Sequence, residues 1–220
     1  ASAICKNTDV TVSGGSVNWL FGGGEQGSVT ETAKLATSGG TVNGTICGGG
    51  FSALCGNTDV SIESGSWGFI YGGGENGSVT GECHLAVSGN PTITGVVFGG
   101  SKSADATVGS TRVEISGGTF IDSDLNTVYG TILAGGYGCT VTGNTYLKAT
   151  GGTIGTLYGG CSKGTVNGAT YVEVDGATMD GGTVDGNPNS AAVYGGGRGV
   201  VSQDDSGNVG STKVVIKSIG

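Results

Sequence analysis

The sequence is poor in proline, histidine and charged residues. Its 220 residues include 2 Pro, 1 His and 9 Lys+Arg, and charged residues make up 12% of the chain, about half of the usual share. Hydrolysis by a nucleophile paired with histidine needs a base that titrates near neutrality, and His84 is the single candidate. The formal net charge of −8 and the lack of any Lys/Arg cluster argue against a nucleic-acid binder.

Long apolar runs and metal-binding motifs are missing as well. No stretch of about 18 consecutive apolar residues occurs, so we expect no membrane insertion. The spacings C-x-x-C and H-E-x-x-H and the calcium-binding nonapeptide are also absent. We therefore expect a protein that is not an enzyme and has no cofactor. Calcium held by acidic loops stays open as an alternative.

Glycine is abundant, and it marks an internal repeat. The chain contains 50 Gly, and the segment CKNTDVTV at 5–12 returns as CGNTDVSI at 55–62, with a weaker copy at 33–37. The repeating unit is therefore 25 residues, with insertions in later copies. The first apolar position of each copy falls at Val10, Leu35, Val60, Leu85, Val113, Leu147, Val172 and Val214.

Each copy alternates apolar and polar residues, which is the pattern of a strand with one buried face. About three short strands per unit are separated by glycine turns, and no segment has helical spacing. Stacked units of this size predict an all-β fold, a right-handed parallel β-helix of about eight coils of roughly 25 residues. We expect residues 1–220 to form this single domain.

The repeat also resembles a known group of proteins. Residues 141–160, VTGNTYLKATGGTIGTLYGG, are similar to the glycine-rich solenoid repeats of large adhesin-like surface proteins of anaerobic gut bacteria and methanogens. The resemblance implies a segment of a larger surface protein, extracellular or cell-surface display and a non-enzymatic role. It implies no particular ligand-binding residues.

Aromatic residues form the first candidate binding site, next to an apolar column that precedes the glycine clusters. If Leu20 and Ile70 point inward, alternation turns their neighbours outward as a ladder of rings on which a sugar could dock. A bulge at the glycines would instead turn the rings into the core. The predicted ring residues are Trp19, Phe21, Trp67, Phe69 and Tyr71. The apolar column is Leu20, Ile46, Ile70, Val97, Leu133, Leu157 and Val193.

Two acidic insertions, at 120–126 and 179–187, form the second candidate site. Both follow the same glycine turn, so they should project from one corner of the solenoid about two coils, or ~10 Å, apart. Their acids could bind a glycan or calcium, or act as the acid and base of a polysaccharide-degrading enzyme. They could also be ordinary solvated loops. The candidate residues are Asp122, Asp124, Asp180 and Asp185.

Two further predictions concern disulfide pairing and the N-terminal end of the solenoid. Cys139 and Cys161 could join adjacent coils by a disulfide, whereas Cys5 and Cys55 are two coils apart and too distant to pair. The first apolar residue, Ile4, has no preceding cap, so we expect flanking domains or a partner chain to cover the N-terminal coil.

The sequence thus favours an extracellular, adhesin-like repeat module that displays a ligand-binding face. A glycan is the first expected ligand and a host surface protein the second. The alternatives are a polysaccharide-degrading β-helix enzyme and a passive structural stalk that spaces other domains.

Overall fold

The computed structural model describes residues 3–122, 128–184, 187–188, 190–199 and 207–220. Within them the chain contains no helix, and therefore none long and apolar enough to cross a membrane. The strands are β1 (Ile4–Cys5), β2 (Thr8–Val12), β3 (Ser16–Phe21), β4 (Ser28–Thr37), β5 (Thr41–Cys47), β6 (Cys55–Ile62), β7 (Ser66–Tyr71), β8 (Val79–Val87), β9 (Thr92–Ile93), β10 (Val97–Phe98), β11 (Thr107–Asp122), β12 (Val128–Tyr129), β13 (Thr131–Leu133), β14 (Thr140–Val141), β15 (Thr145–Ile154), β16 (Thr156–Tyr158), β17 (Thr165–Asp175), β18 (Thr178–Met179), β19 (Thr183–Val184), β20 (Asn187–Pro188), β21 (Ala192–Tyr194) and β22 (Val209–Ser218).

The long strand of each coil pairs in parallel with the long strand of the next coil. This ladder contains β2, β4, β6, β8, β11, β15, β17 and β22. Its register aligns the eight apolar positions from Val10 to Val214 that the repeat predicted. The all-β, parallel solenoid is therefore confirmed. It makes about six turns, slightly fewer than the eight coils expected, and within the described residues the last copy of the repeat contributes only β22.

The second ladder lies beside the glycine clusters and contains β3, β5, β7, β10, β13, β16 and β21. Its inward residues, among them Ile46, Ile70 and Val97, join those of the long strands in one hydrophobic core. The predicted inward column needs one correction. Val97 pairs with Ile132, and Leu133 pairs with Phe98 on the outer side. The assignment slipped by one residue because the insertion in this coil shifts the strand relative to the repeat.

Buried threonines bind the coils to their glycine turns. The hydroxyl of Thr8 donates to the carbonyl oxygen of Gly22 at 2.6 Å, and that of Thr58 donates to Gly72 at 2.6 Å. Thr145 and Thr170 make the same bond to Gly159 and Gly195. A buried hydroxyl with a partner contributes about 1 kcal/mol, whereas a buried carbonyl left without one costs more. These bonds therefore hold each glycine turn against its long strand.

Adjacent coils approach closely at the first glycine of five glycine clusters, which we call the glycine corner (Gly22, Gly48, Gly72, Gly99 and Gly159). A Cβ atom added to Gly48 would lie 2.3 Å from the carbonyl oxygen of Gly72 and 2.5 Å from Cγ2 of Val60. A Cβ added to Gly22 would lie 2.2 Å from the oxygen of Gly48. The carbonyl of the next coil thus occupies the space of a side chain at these glycines, whereas the equivalent position between Gly99 and Gly159 is Ala134.

Replacing Gly48 by alanine should destabilise the solenoid, because the new methyl group overlaps backbone that is held by pairing on both sides. We expect a loss of about 1–3 kcal/mol in the free energy of unfolding, the usual cost of overpacking a core. Gly14→Ala is the matched control, because an added Cβ there has no heavy atom within 4 Å and φ lies outside the left-handed region. Chemical denaturation of both variants measures the difference. An equal effect of the two substitutions would contradict the close-approach explanation.

Candidate functional site

A column of mostly aromatic residues runs along the outer side of the second ladder, beside the glycine corner. The strand register aligns Phe21, Cys47, Tyr71, Phe98, Leu133, Tyr158 and Tyr194. The rings of Tyr71 and Phe98 stack with centroids 4.8 Å apart and planes 5° from parallel. Tyr158 and Tyr194 stack in the same way, at 4.8 Å and 11°. Phe21 and Tyr71 belong to a separate hydrophobic cluster, apart from the main core.

Two of the predicted ring residues, Trp67 and Tyr71, are buried. Trp67 is fully buried in the main core, and its indole Nε1 donates to the carbonyl oxygen of Ser64 at 2.9 Å. Its side chain points inward because the register shifts between its own pair and that of Phe69, which reverses the alternation at this bend. Tyr71 is 5% exposed, and burial raises the pKa of its hydroxyl. Neither ring offers a face to a ligand in this structure.

The exposed rings lie in a different column. Trp19 is 68% exposed and Phe69 is 40% exposed, and both align with Thr45, which lies between them in the intervening coil. Two strand spacings, ~9.6 Å, therefore separate the two rings along the solenoid axis. The rings do not form the continuous ladder expected from alternation.

Trp19 instead forms one wall of a small cleft, which we call the aromatic cleft. It has a volume of about 100 Å³ and is lined by Trp19, Phe21, Thr45, Phe51, Glu75 and Lys102. The exposed Phe51 meets Phe21 edge to face, with ring centroids 5.9 Å apart and planes at 86°. The indole lies against Gly44, where an added Cβ would stand 3.0 Å from its Cδ1 atom. The absence of a side chain at Gly44 gives the indole its position.

Charged residues form one end of the aromatic cleft. The Lys102 ammonium group pairs with the Glu75 carboxylate, and the other oxygen of Glu75 lies 3.8 Å from the Cys47 sulfur. Burial and the Glu75 charge raise the pKa of the Cys47 thiol, so the thiol stays protonated and donates to the carboxylate. The cleft therefore combines aromatic walls with fixed polar groups, which is the usual composition of a small-ligand site.

Sequence reasoning missed Phe51, Glu75 and Lys102. They follow the glycine clusters of three successive coils, and backbone hydrogen bonds stack them. Asn76 N–H donates to the oxygen of Phe51 at 2.7 Å, and Ser103 N–H donates to that of Glu75 at 2.9 Å. Aligning the residue that comes after each glycine cluster would have found this column, which the comparison of strand positions left out.

The acidic insertions are confirmed to leave the solenoid at one corner. Thr119, which precedes the first insertion, and Thr178, which precedes the second, both pair with Thr153 of the coil between them. The insertions contain antiparallel pairs, β11 with β12 and β19 with β20, so they are hairpins rather than simple loops.

The predicted acids of these hairpins are only partly described. Asp180 is exposed, and its Oδ1 accepts a hydrogen bond from Gly182 N–H at 2.7 Å. Asp122 ends β11 with its side chain outside the description, and Asp124 and Asp185 lie outside the described residues. No group of three or more His, Cys, Asp or Glu within the described ranges could hold a metal ion.

His84 lies in a charged ladder on the outer face of the long strands. Its Nδ1 is 2.9 Å from Asp59 and its Nε2 is 3.1 Å from Glu114, while Arg112 binds Glu114 at 2.7 Å. The Arg112 hydrogen bond, aided by His84, lowers the pKa of Glu114. Both ring nitrogens have carboxylate partners in neighbouring coils, so His84 joins coils together.

The six cysteines are free thiols. The disulfide considered between Cys139 and Cys161 is not formed. Both residues are fully buried, and the hydrogen bond with the Cys139 sulfur, together with burial, raises the pKa of Cys161. The two side chains pack as small apolar groups in the second buried cluster of the solenoid.

Comparison with protein families, curated proteins and solved structures found no match for this chain. The resemblance to adhesin-like solenoid repeats therefore rests on the repeat pattern alone.

Near the C-terminal end, Glu173 connects three strands of the charged face. Glu173 is 6% exposed. Its carboxylate lies 2.7 Å from Nζ of Lys217 and 3.3 Å from Nζ of Lys148. It also accepts a hydrogen bond from the Tyr171 hydroxyl at 2.7 Å. The Lys217 and Tyr171 hydrogen bonds lower the pKa of Glu173 to about 2. Since Lys217 belongs to β22, this carboxylate holds the terminal strand of the ladder.

Acidification should therefore loosen β22. The folded-state pKa of about 2 lies below the ordinary value of 4.5, so the contribution of Glu173 is complete above about pH 4.5 and disappears as the pH falls towards 2. Hydrogen exchange of the β22 amides, corrected for intrinsic rates, should show protection that drops across this window. Glu173→Gln should lower protection at pH 5 and flatten the pH dependence, whereas Glu63→Gln, at an exposed site, should do neither. Unchanged protection in Glu173→Gln would rule out this role.

Proposed function

We propose that the chain is an extracellular, adhesin-like module and that its aromatic cleft binds a glycan. The observation that carries the proposal is the pair of exposed rings, Trp19 at 68% and Phe51 at 38%, on the lining of one cleft that also contains the Glu75–Lys102 pair. Exposed aromatic residues grouped around a concave site are uncommon on a protein surface without a partner. The resemblance of the repeat to surface-protein solenoids supports the extracellular location.

The composition of the aromatic cleft suits a sugar. The C–H face of a pyranose ring is apolar and packs on an aromatic face, while its hydroxyl groups need hydrogen-bond donors and acceptors. Trp19 and Phe51 supply aromatic surface, and Thr45, Glu75 and Lys102 supply the polar partners. A purely apolar ligand would leave the charged pair without hydrogen bonds from solvent, which costs free energy.

A polysaccharide-degrading activity has less support. Glycoside hydrolysis commonly needs two carboxyl groups that flank the scissile bond, and the aromatic cleft contains one, Glu75, which is already paired with Lys102. We therefore propose a binding function without catalysis. A host surface protein is the second partner that we consider for the same face.

We also propose that flanking domains or a partner chain cover the N-terminal coil. Ile4 is 71% exposed and Val17 is 46% exposed, and Val12 and Leu20 are only partly buried against the core. Val12, Val17 and Leu20 also line a cavity of about 280 Å³ at this end. In sedimentation, we expect the chain to self-associate as its concentration is raised. A monodisperse monomer at high concentration would count against this partner.

A glycan-array screen of the purified chain tests the binding proposal. We expect selective binding, and we expect Trp19→Ala and Phe51→Ala each to weaken it about fivefold or more, because removing an aromatic hot-spot contact costs more than about 1 kcal/mol. Tyr146→Ala is the matched control, since this ring stacks on Tyr171 on another face. Circular dichroism and thermal unfolding verify that each variant is folded.

Two further outcomes of the screen separate the alternatives. Binding at the aromatic cleft should be the same with calcium and with a chelator, because the cleft lining contains a single carboxylate. A calcium requirement would direct attention to the acidic hairpins instead. If no glycan binds under either condition, the cleft proposal fails, and a passive stalk or a protein-binding module becomes the better description.

A further inference from the structure

A second, larger cavity adjoins the aromatic cleft, and we call it the lysine basin. It has a volume of about 310 Å³ and is lined by Asn76, Lys102, Ser103, Ala104, Tyr137, Gly138 and Lys163. Lys102 also lines the aromatic cleft, so the two cavities meet at this side chain. Both cavities are lined by turn residues that follow the glycine clusters.

The backbone register sets the direction in which the two cavities follow each other. Hydrogen bonds between the turns that follow the glycine clusters stack Phe51, Glu75, Lys102 and Tyr137 on four successive coils. Three strand spacings, ~14 Å, therefore separate Phe51 from Tyr137 along the axis. The N–H of Lys163 donates to the carbonyl oxygen of Tyr137 at 2.6 Å and brings Lys163 into the next coil. A linear ligand that begins in the aromatic cleft and follows the axis reaches the lysine basin.

The charge of the lysine basin is opposite to that of the chain. The sequence has 17 Asp+Glu against 9 Lys+Arg, yet the described lining of the basin contains two lysines and no carboxylate. Lys102 has a partner in Glu75 at the edge shared with the cleft. Lys163 is exposed and makes no ion pair with a described carboxylate, and its Nζ lies over the Tyr137 ring, 4.8 Å from the centroid. Among the described residues, Lys163 thus lines the basin with a ring contact and no ion pair.

Neutral hydrogen-bonding groups accompany the two cations. The Asn76 amide and the Ser103 hydroxyl both line the lysine basin, and each can donate to an oxyanion. Hydrogen bonds from such groups and from lysine to a carboxylate or sulfate are stronger than those between neutral partners. A neutral sugar would gain little from Lys163, whereas an anionic one would gain both charge attraction and hydrogen bonds.

We propose that the ligand is an acidic polysaccharide, with a sugar ring in the aromatic cleft and a carboxylate or sulfate group in the lysine basin. This inference rests on the proposed glycan binding and names the class of glycan. The shared chemistry is a fixed negative charge on a linear sugar chain. Lys163 supplies the decisive charge, and Lys102 lies between the two subsites.

Binding measurements with two matched pairs of polymers test the inference. The probes are polygalacturonate against its methyl ester, and dextran sulfate against dextran. We expect at least one charged polymer to bind about tenfold or more tightly than its neutral partner. The difference should shrink when salt is raised above 0.1 M, since the Debye length there is about 10 Å and falls further. The carboxylate pair and the sulfate pair distinguish the two possible anions.

Variants separate the basin from general surface charge. Lys163→Gln should lower the affinity for the charged polymer to within about threefold of the neutral one, and Lys34→Gln, which removes an exposed lysine from the long-strand face, should leave it unchanged. Equal binding of charged and neutral polymers, or equal effects of the two variants, would overturn the inference. If Trp19→Ala weakens binding to both polymers while Lys163→Gln changes neither, glycan binding stands and the acidic class falls. If no polymer binds, both proposals fail.

Discussion

The carbonyl oxygen of one coil occupies the place of a side chain in the coil before it. At Gly22, Gly48 and Gly72 an added Cβ would come within 2.3 Å of that oxygen, so the stacking distance and the glycines depend on each other. The contact recurs at Gly99 and Gly159. The strands on either side, the buried threonine hydroxyls and the outer aromatic column all keep their positions because this corner cannot slip.

The glycine corner also determines which residues meet at the proposed binding surface. The residue that follows a glycine cluster lies beside the outer column of the preceding coil, so Phe51 reaches Phe21 and Tyr137 reaches Phe98, with ring centroids 5.8 Å apart. In the middle coils these turn residues cover the column, and Phe98 is only 4% exposed. At Phe21 the covering is incomplete, because Phe51 meets it edge to face and is itself 38% exposed.

The positions of charged side chains also follow from the stacking of the coils. On the face of the long strands, residues that align in neighbouring coils pair with one another, as Asp59 and His84 do, and these pairs hold coils together. On the edge with the glycine corner, Lys163 has no such partner among the described carboxylates and faces a cavity instead. The first arrangement pairs charges between coils, whereas the second is the one that we propose to meet an anionic ligand.

The sequence by itself determined the repeat and the register of the long strands, because a parallel ladder must place equivalent apolar residues one above another. It therefore predicted the alignment from Val10 to Val214 and the common corner of the two insertions. It could not decide which outer rings are exposed. Alternation of apolar and polar residues predicts only the side of the strand on which a side chain lies. The burial of Tyr71 depends on turn residues of other coils, and the inward position of Trp67 depends on a local register shift. The joining of Trp19, Phe51 and Lys102 in one cleft was likewise decided only by the tertiary structure, because these residues lie in different coils and meet through the close stacking of the turns.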